Sequence, residues 1–498
     1  MLQYIKTAFK NSLVYGLGNI STKLIGFVLL PVYTSHLSVH EYGILAILEV
    51  SSQVIIGVFG LSLTYPFFRW YYDKEYIEKR RTMMFTCMIT LALVCSILIF
   101  VAIILRRQIS IILFGLDKYE ILVVLLTLSA SLQIIASIPS ALMQLQQKSL
   151  LFSFSNIVQL LASLIITIFL VVWLNMNVIG IYIAQTIGGA VYLLILGRYI
   201  FKNIDFKFDI VLLRGMLAVS LPLVVSSFFN ILIIVADRYV LRYLGHFADV
   251  GIYSLGFKIA NTIYVFVVMS INLALTPIIY KIMDEPNNRR IYSKMMTYTG
   301  FIVMLCAIGV SLFGMELIKL LARNPEYWSA YKVVPFVALG IFLWMLRDIS
   351  AIGLNISKKT KIVSMIVIIV SIFNLVVNAI LISIFQVMGA SYAFLLSQFV
   401  FLILTYLFSQ KYYFVQYELG KILMMSICGV MIIFVSSLFN EYSIYIRLLM
   451  KVTMLVVFPV LLYLLNFFEP IELERIRGAW QKWRKPKNWV AEIKLFLK

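Results

Sequence analysis

The sequence predicts an all-α membrane protein of about fourteen transmembrane helices, with two six-helix lobes related by a parallel repeat and followed by two C-terminal helices. Three observations predict it. Apolar runs long enough to cross hydrocarbon, about 20 residues at 1.5 Å each, recur along all 498 residues. Hydrophobic residues make up 62% of the chain and the mean hydropathy is +0.99, whereas a soluble domain is nearer half apolar. Three short sequence similarities recur at one offset of 208 to 210 residues.

The expected spans are 11–37, 42–66, 82–105, 121–144, 150–173, 178–201, 211–237, 249–279, 295–317, 330–354, 362–385, 387–408, 420–439 and 446–466. Residues 107–116 are too short to cross and read as an interfacial turn. The run 249–279 is long enough to tilt or to kink before Pro277. The first run is too long for a signal peptide and carries Lys23, so membrane retention is expected to rest on the helices themselves.

Basic residues set the orientation, because lysine and arginine concentrate in cytoplasmic loops. With the N-terminus inside, 29 of the 42 basic residues fall on cytoplasmic segments and 9 on outer ones. Both termini are therefore expected in the cytoplasm. The same split accounts for most of the net charge of +20 without a nucleic-acid partner.

The repeat rests on places as much as on letters. Gly43 and Gly251 open spans 2 and 8, in the stretches His40-Glu-Tyr-Gly and Asp249-Val-Gly. Ser140-Ala141 ends span 4 as Ser350-Ala351 ends span 10, and Val178 to Gly180 opens span 6 as Val387 to Gly389 opens span 12. An offset of six spans preserves orientation, which implies a parallel repeat with a substrate site between the lobes. The division that follows is 1–208 for the N-lobe, 209–410 for the C-lobe, 411–468 for the last two spans and 469–498 for a basic tail. That tail, with Trp480, Trp483 and Trp489, reads either as an amphipathic helix on anionic lipid or as a solvated topology signal.

Ionisable groups inside the spans are the functional candidates, since an unpaired charge at mid-bilayer costs at least ~2.5 kcal/mol. Span 1 carries a polar stripe of Ser12, Tyr15, Asn19, Thr22 and Gly26 with Lys23 beside it, and such a face lines a wet cavity or meets a partner. Glu49 in span 2 and Lys258 in span 8 occupy corresponding places in the repeat, at similar depth in facing lobes. A pair between Lys23 and Glu49 stays open. Ser254, Lys258 and Asn261 share one face, as do Ser226, Asn230 and Asp237. Asp237–Arg238 and Arg347–Asp348 fit neutralising pairs kept for packing. Single polar residues such as Gln133, Gln185, Asn374 and Asn378 read as helix–helix hydrogen bonding.

No catalytic constellation is present: there is no Walker A loop, no Gly-x-Gly-x-x-Gly after a strand and no His-Glu-x-x-His. The hydrophilic loops are too short for a nucleotide-binding domain, so energy must come from ion gradients, membrane potential or the substrate's own gradient. Cys87, Cys95, Cys306 and Cys428 lie singly in apolar runs, and His36, His40 and His246 lack ligating neighbours. Neither an enzyme nor a metal or other cofactor is expected.

The stretches Asn11-Ser12, Tyr15-Gly16-Leu-Gly18-Asn19, Pro31-Val-Tyr33-Thr34, Leu37-Ser38 and Glu41-Tyr42-Gly43 resemble the polysaccharide-lipid (Wzx-type) flippases of the multidrug/oligosaccharidyl-lipid/polysaccharide exporter superfamily. Asp237-Arg238-Tyr239, Val250 to Ser254 and Lys258 are similar to the same family, and the length and span count match throughout. The resemblance implies flipping of an undecaprenyl-diphosphate-linked oligosaccharide from the inner to the outer leaflet of a bacterial cytoplasmic membrane, by alternating access. It places substrate-binding roles on Lys23 and Lys258, with Asn19 and Asn261 beside them. Arg69, at the cytoplasmic mouth of span 2, would meet the head group, although an ordinary positive-inside flank explains it too. Glu49 and Asp237 are the carboxylates for a coupling ion. Membrane lipids, a polysaccharide polymerase and glycosyltransferases are the implied partners.

Relatives that flip peptidoglycan precursor carry several arginines in spans 1 and 2, where this chain has one lysine and one glutamate. A cation-coupled multidrug antiporter on the same fold is the second reading, and a non-transporting scaffold the third. Lysines at least as numerous as acids in the spans favour an anionic cargo.

Overall fold

The computed structural model describes residues 27–439, 441–470 and 474. Among them there is no strand, and 12 helices are long and apolar enough to cross a membrane. In chain order the helices are α1 (Leu30–His36), α2 (Val39–Phe59), α3 (Thr64–Trp70), α4 (Arg80–Ile104), α5 (Arg106–Phe114), α6 (Glu120–Leu145), α7 (Ser149–Ile168), α8 (Asn177–Asn203) and α9 (Ile210–Leu244). There follow α10 (Phe247–Ala260), α11 (Met269–Lys281), α12 (Asn288–Leu321), α13 (Val334–Ser350), α14 (Ile352–Ile356), α15 (Thr360–Tyr412), α16 (Leu419–Ser437) and α17 (Ile444–Leu464).

The 53 residues of α15 would stretch to about 80 Å as one helix, more than twice a hydrocarbon core. Gln386, at φ 50° and ψ −125°, breaks it. The break falls where spans 11 and 12 were expected to meet, so the twelve helices account for thirteen spans. Of the first expected span only the end is described, as α1. The amphipathic tail lies outside the described residues apart from Glu469, Pro470 and Glu474.

Local chemistry sets the ends. Ser38 caps α2: its hydroxyl accepts from the Glu41 N–H at 3.3 Å, and Glu41 Oε2 accepts from the Ser38 N–H at 2.9 Å. Asp249 does the same for α10, accepting from the His246 N–H at 3.0 Å. The two caps lie 208 residues apart, so the repeat extends to the capping groups. Asp209 caps α9, accepting from the Val211 and Leu212 N–H groups at 3.0 Å each. The Leu212 bond, aided by Lys79, holds the Asp209 carboxyl below the usual carboxylate range.

One expectation is corrected. Span 2 was expected to reach residue 66, but α2 ends at Phe59, and Leu61 and Ser62 take positive φ before α3 begins. Leu61 carries no turn signal, so hydropathy ran across the break. Span 8 carries a π-helical stretch, Ile263–Val268, ahead of Pro277, and Pro277 itself sits inside α11.

Helices α4, α6, α7 and α8 pack on one another, and α9, α12, α13 and α15 form a second group. Between the groups α2 crosses α10. Gly43 and Gly251 lie at the crossing, the two residues that the repeat relates. A Cβ on Gly43 would sit 1.9 Å from the Phe247 carbonyl oxygen, and one on Gly251 would sit 2.3 Å from that of Val39. A residue packed on its own repeat counterpart is what a two-fold relation produces on its axis. The same end is sealed by Tyr327, which donates to the Leu37 carbonyl at 3.0 Å and meets the Tyr42 ring edge-on. Thr34 donates to the Leu321 carbonyl at 2.7 Å.

The last two spans are fastened to α12 by charge at both ends. At one end Lys294 donates to Glu418 at 2.8 Å and to Glu469. At the other, Glu316 accepts from Arg447 at 2.6 Å and from Lys451 at 2.9 Å. Lys451 is 1% exposed. Removing one partner of such a buried set leaves uncompensated charge, at a cost of roughly 3–5 kcal/mol. Glu316→Gln is therefore expected to lower the midpoint of thermal unfolding in detergent by several degrees. An unchanged midpoint would show that Arg447 and Lys451 find other anions.

Candidate functional site

The candidate cavity lies against the α2–α10 crossing. It has a volume of about 480 Å³ and draws its lining from both halves of the chain. Helix α2 contributes Tyr42, Ala46, Glu49, Val50 and Gln53. Helix α9 contributes Ile234 and Arg238, and α10 contributes Ser254, Phe257, Lys258 and the adjoining Asn261. Tyr264 and Val265 come from the π-helical stretch and Trp344 from α13.

Successive turns of α10 deliver Ser254, Lys258 and Asn261 to one side, as the helical period requires. Lys258 Nζ donates to Glu49 Oε1 at 3.3 Å. The two side chains keep 27% and 39% of their surface exposed, so the pair bridges the halves across an open space. Glu49 thus pairs with Lys258, while Lys23 and Asn19 lie outside the described residues. The Ser254 hydroxyl is buried on the cavity wall with no partner in the structure, and such a group calls for a ligand or water.

Asp237 does not face this cavity. It is 2% exposed, accepts from Arg238 Nη1 at 2.9 Å and accepts from the Tyr253 hydroxyl. Arg238 does reach the cavity, held by Asp237 and by the Ile234 carbonyl at 2.6 Å, with its guanidinium 4.1 Å from the centre of the Phe257 ring. Reading Asp237–Arg238 as a packing pair described the bond and missed that the arginine faces the cavity. The other two polar residues on the Asp237 face are also spoken for: Ser226 donates to Ser364 at 3.1 Å and Asn230 to its own Ser226 carbonyl at 3.0 Å.

Arg347 and Asp348 pair at 2.5 Å, and Asp348 also accepts from Asn272 at 3.1 Å. Their guanidinium lies 4.2 Å from the Phe401 ring centre and 5.2 Å from that of Trp344, so this pair braces the cavity wall from behind. Arg69 is exposed on α3 and does not line the cavity.

Tyr264 and Trp344 were not legible as site residues. A 3.6-residue period carries the Lys258–Asn261 face on to 265. Position 264, three residues after Asn261, falls on the same side, and its ring centre lies 4.5 Å from that of Trp344. Among the described residues no group of three or more His, Cys, Asp or Glu side chains is placed to hold a metal.

Residues 8–283 match the family model described as polysaccharide biosynthesis protein, and residues 222–380 match the MatE model. A search of the curated proteins finds no match to this sequence. Among solved structures, the inward closed conformation of the lipid II flippase MurJ is similar at a TM-score of 0.67 and 14% identity, covering 93% of this chain and 99% of that one. The MATE multidrug transporter DinF-BH is similar at 0.60 and 16%, covering 82% and 95%. The bent form of the Vibrio cholerae MATE transporter VcmN is similar at 0.58 and 16%, covering 82% and 96%. At these identities the structures establish the fold. With more than half of its length inside the first family model, the chain belongs to the polysaccharide biosynthesis protein family of the multidrug/oligosaccharidyl-lipid/polysaccharide exporter superfamily.

Proposed function

We propose that this protein flips a lipid-diphosphate-linked oligosaccharide, of the undecaprenyl class, from the inner to the outer leaflet by alternating access. One observation carries the reading: the carboxylates at and behind the described cavity are already neutralised, Glu49 by Lys258 and Asp237 by Arg238. What lines the space is the half-exposed Lys258–Glu49 pair, an arginine, two side-chain amides, an unpartnered serine hydroxyl and aromatic rings. A diphosphate needs compensating charge at that depth, and a glycan needs hydrogen-bond partners and ring faces. An antiporter for lipophilic cations needs a carboxylate open to its cargo.

Lys258 and Arg238 would hold the diphosphate, and Asn261 would bond the sugar. Lys23 and Asn19 join them on sequence grounds, and Arg69 would meet the head group on entry. Glu49, released when a phosphate takes Lys258, becomes the group for a coupling proton or cation, with Asp237, paired with Arg238 behind the wall, as the second carboxylate. The orientation that fits has both termini in the cytoplasm of a bacterial inner membrane, with the α2–α10 crossing at the outer face. The family description supports the glycan, and polymerase and glycosyltransferases are the partners such a reaction requires.

The test is transport in proteoliposomes offered lipid-linked oligosaccharide, lipid II or the cationic dye rhodamine 6G in turn. We expect movement of the oligosaccharide lipid, read as protection from an impermeant glycosidase, and little of the other two. Rhodamine 6G efflux that disappears in Glu49→Gln would replace this reading with the antiporter.

A further inference from the structure

We propose that Tyr264 and Trp344 form a stacking platform for a pyranose ring of the glycan and so help to select the sugar nearest the diphosphate. This rests on the reading of the cavity as a glycan-lipid site. The aromatic surface is built at some cost to regular structure. Tyr264 stands in six π-helical residues directly after the Lys258–Asn261 face, and π-helical turns are rare and occur frequently at functional sites. Trp344 comes from a different helix, α13, and both rings are only partly buried at the cavity wall. Their planes are inclined by 34° with centres 4.5 Å apart. At that separation and tilt the two rings stack on each other, so Trp344 backs Tyr264 and no slot is left between them for a flat molecule.

That surface suits a sugar. A pyranose carries axial C–H groups with slight positive charge on one face, and an aromatic ring presents a negative face to them. The Arg347 guanidinium lies 5.2 Å from the Trp344 ring centre and 4.2 Å from that of Phe401, contacts that help to fix the tryptophan. Spacing agrees as well. Tyr264 is six positions after Lys258, so at about 1.5 Å each their backbones stand on the order of 9 Å apart along the helix. That offset lets one side chain meet the diphosphate while the other meets a sugar close to it. Asn261 falls between, where an amide can bond a ring hydroxyl or an acetamido group.

The test compares two probes on purified protein: undecaprenyl diphosphate, and the lipid-linked oligosaccharide extracted from the source cells. Binding is measured for wild type, Trp344→Leu, Trp344→Phe, Tyr264→Leu and Tyr264→Phe. Each leucine variant should weaken the oligosaccharide lipid about tenfold, the size of one aromatic contact, while changing the affinity for undecaprenyl diphosphate less than twofold. Each phenylalanine variant should stay within about threefold of wild type for both. Equal losses on both probes would make the rings structural and overturn the platform, as would leucine variants that bind the oligosaccharide lipid like wild type. Wild type that binds neither probe would instead overturn the flippase reading itself. Tighter binding of rhodamine 6G than of either lipid, lost in Trp344→Leu, would assign the platform to a flat cation.

Discussion

Lys258→Ala is expected to lower glycan export ten- to a hundredfold while the protein reaches the membrane in normal amounts. The estimate takes one charge-assisted contact as worth roughly 1.5–3 kcal/mol. Lys258→Arg should retain more activity because the charge stays, and Lys258→Glu should be worst because it places a carboxylate against the phosphates. The measurement is surface glycan in a strain lacking the transporter, with membrane protein quantified beside it. The geometry adds a decisive arm. Lys258 sits 3.3 Å from Glu49, so the alanine also strands a carboxylate in the cavity, and a double-variant cycle separates the two effects. If Glu49→Ala in the Lys258→Ala background restores export to wild type, the lysine serves only to neutralise Glu49. If the double variant stays inactive, Lys258 holds the cargo. Lys23→Ala is expected to behave as Lys258→Ala does, from its place in the first span.

The sequence made the scaffold legible because membrane crossing is a one-dimensional requirement. Length and apolarity together place nearly every described helix, and the largest displacement of an end is seven residues, as where α12 begins at 288 and not 295. The repeat was legible because glycines at a helix crossing admit no substitute: Gly43 and Gly251 had to persist in both halves. Adjacent pairs such as Asp237–Arg238 were legible because the chain itself holds the partners together. Pairings that the fold creates were not. Glu49 and Lys258 are 209 residues apart, and depth alone did not join them. Glu316 meets Arg447 and Lys451 across 131 and 135 residues, and nothing in the local sequence of either helix signals it. Tyr264 lies on the Lys258–Asn261 side by ordinary helical period, but its meeting with Trp344 of α13 is again made by the fold.

Gly43→Ala and Gly251→Ala are expected to open the end of the cavity that these glycines close. The added carbon at Gly43 would meet the Phe247 carbonyl oxygen at 1.9 Å, and at Gly251 that of Val39 at 2.3 Å. Both obstacles are backbone, so no rotamer change relieves them, and α2 must move from α10. Overpacking of this kind costs about 1–3 kcal/mol, and each 1.4 kcal/mol shifts a two-state equilibrium tenfold. A conformer in which the two helices have parted carries none of that cost and should gain roughly 5- to 150-fold in population. The readout is a single cysteine at Ala46, on the cavity wall beyond the crossing, in a chain whose own four cysteines are replaced. An impermeant maleimide added outside intact cells should label it slowly in the parent and many times faster in either alanine variant. Gly57→Ala on the same helix is the control: there the added carbon meets only Cδ1 of Ile231, the mobile end of a side chain. Labelling raised equally by all three variants would mean that any disturbance of α2 loosens the protein. Labelling unchanged at Gly43 and Gly251 would mean that this crossing is not what seals the outer face.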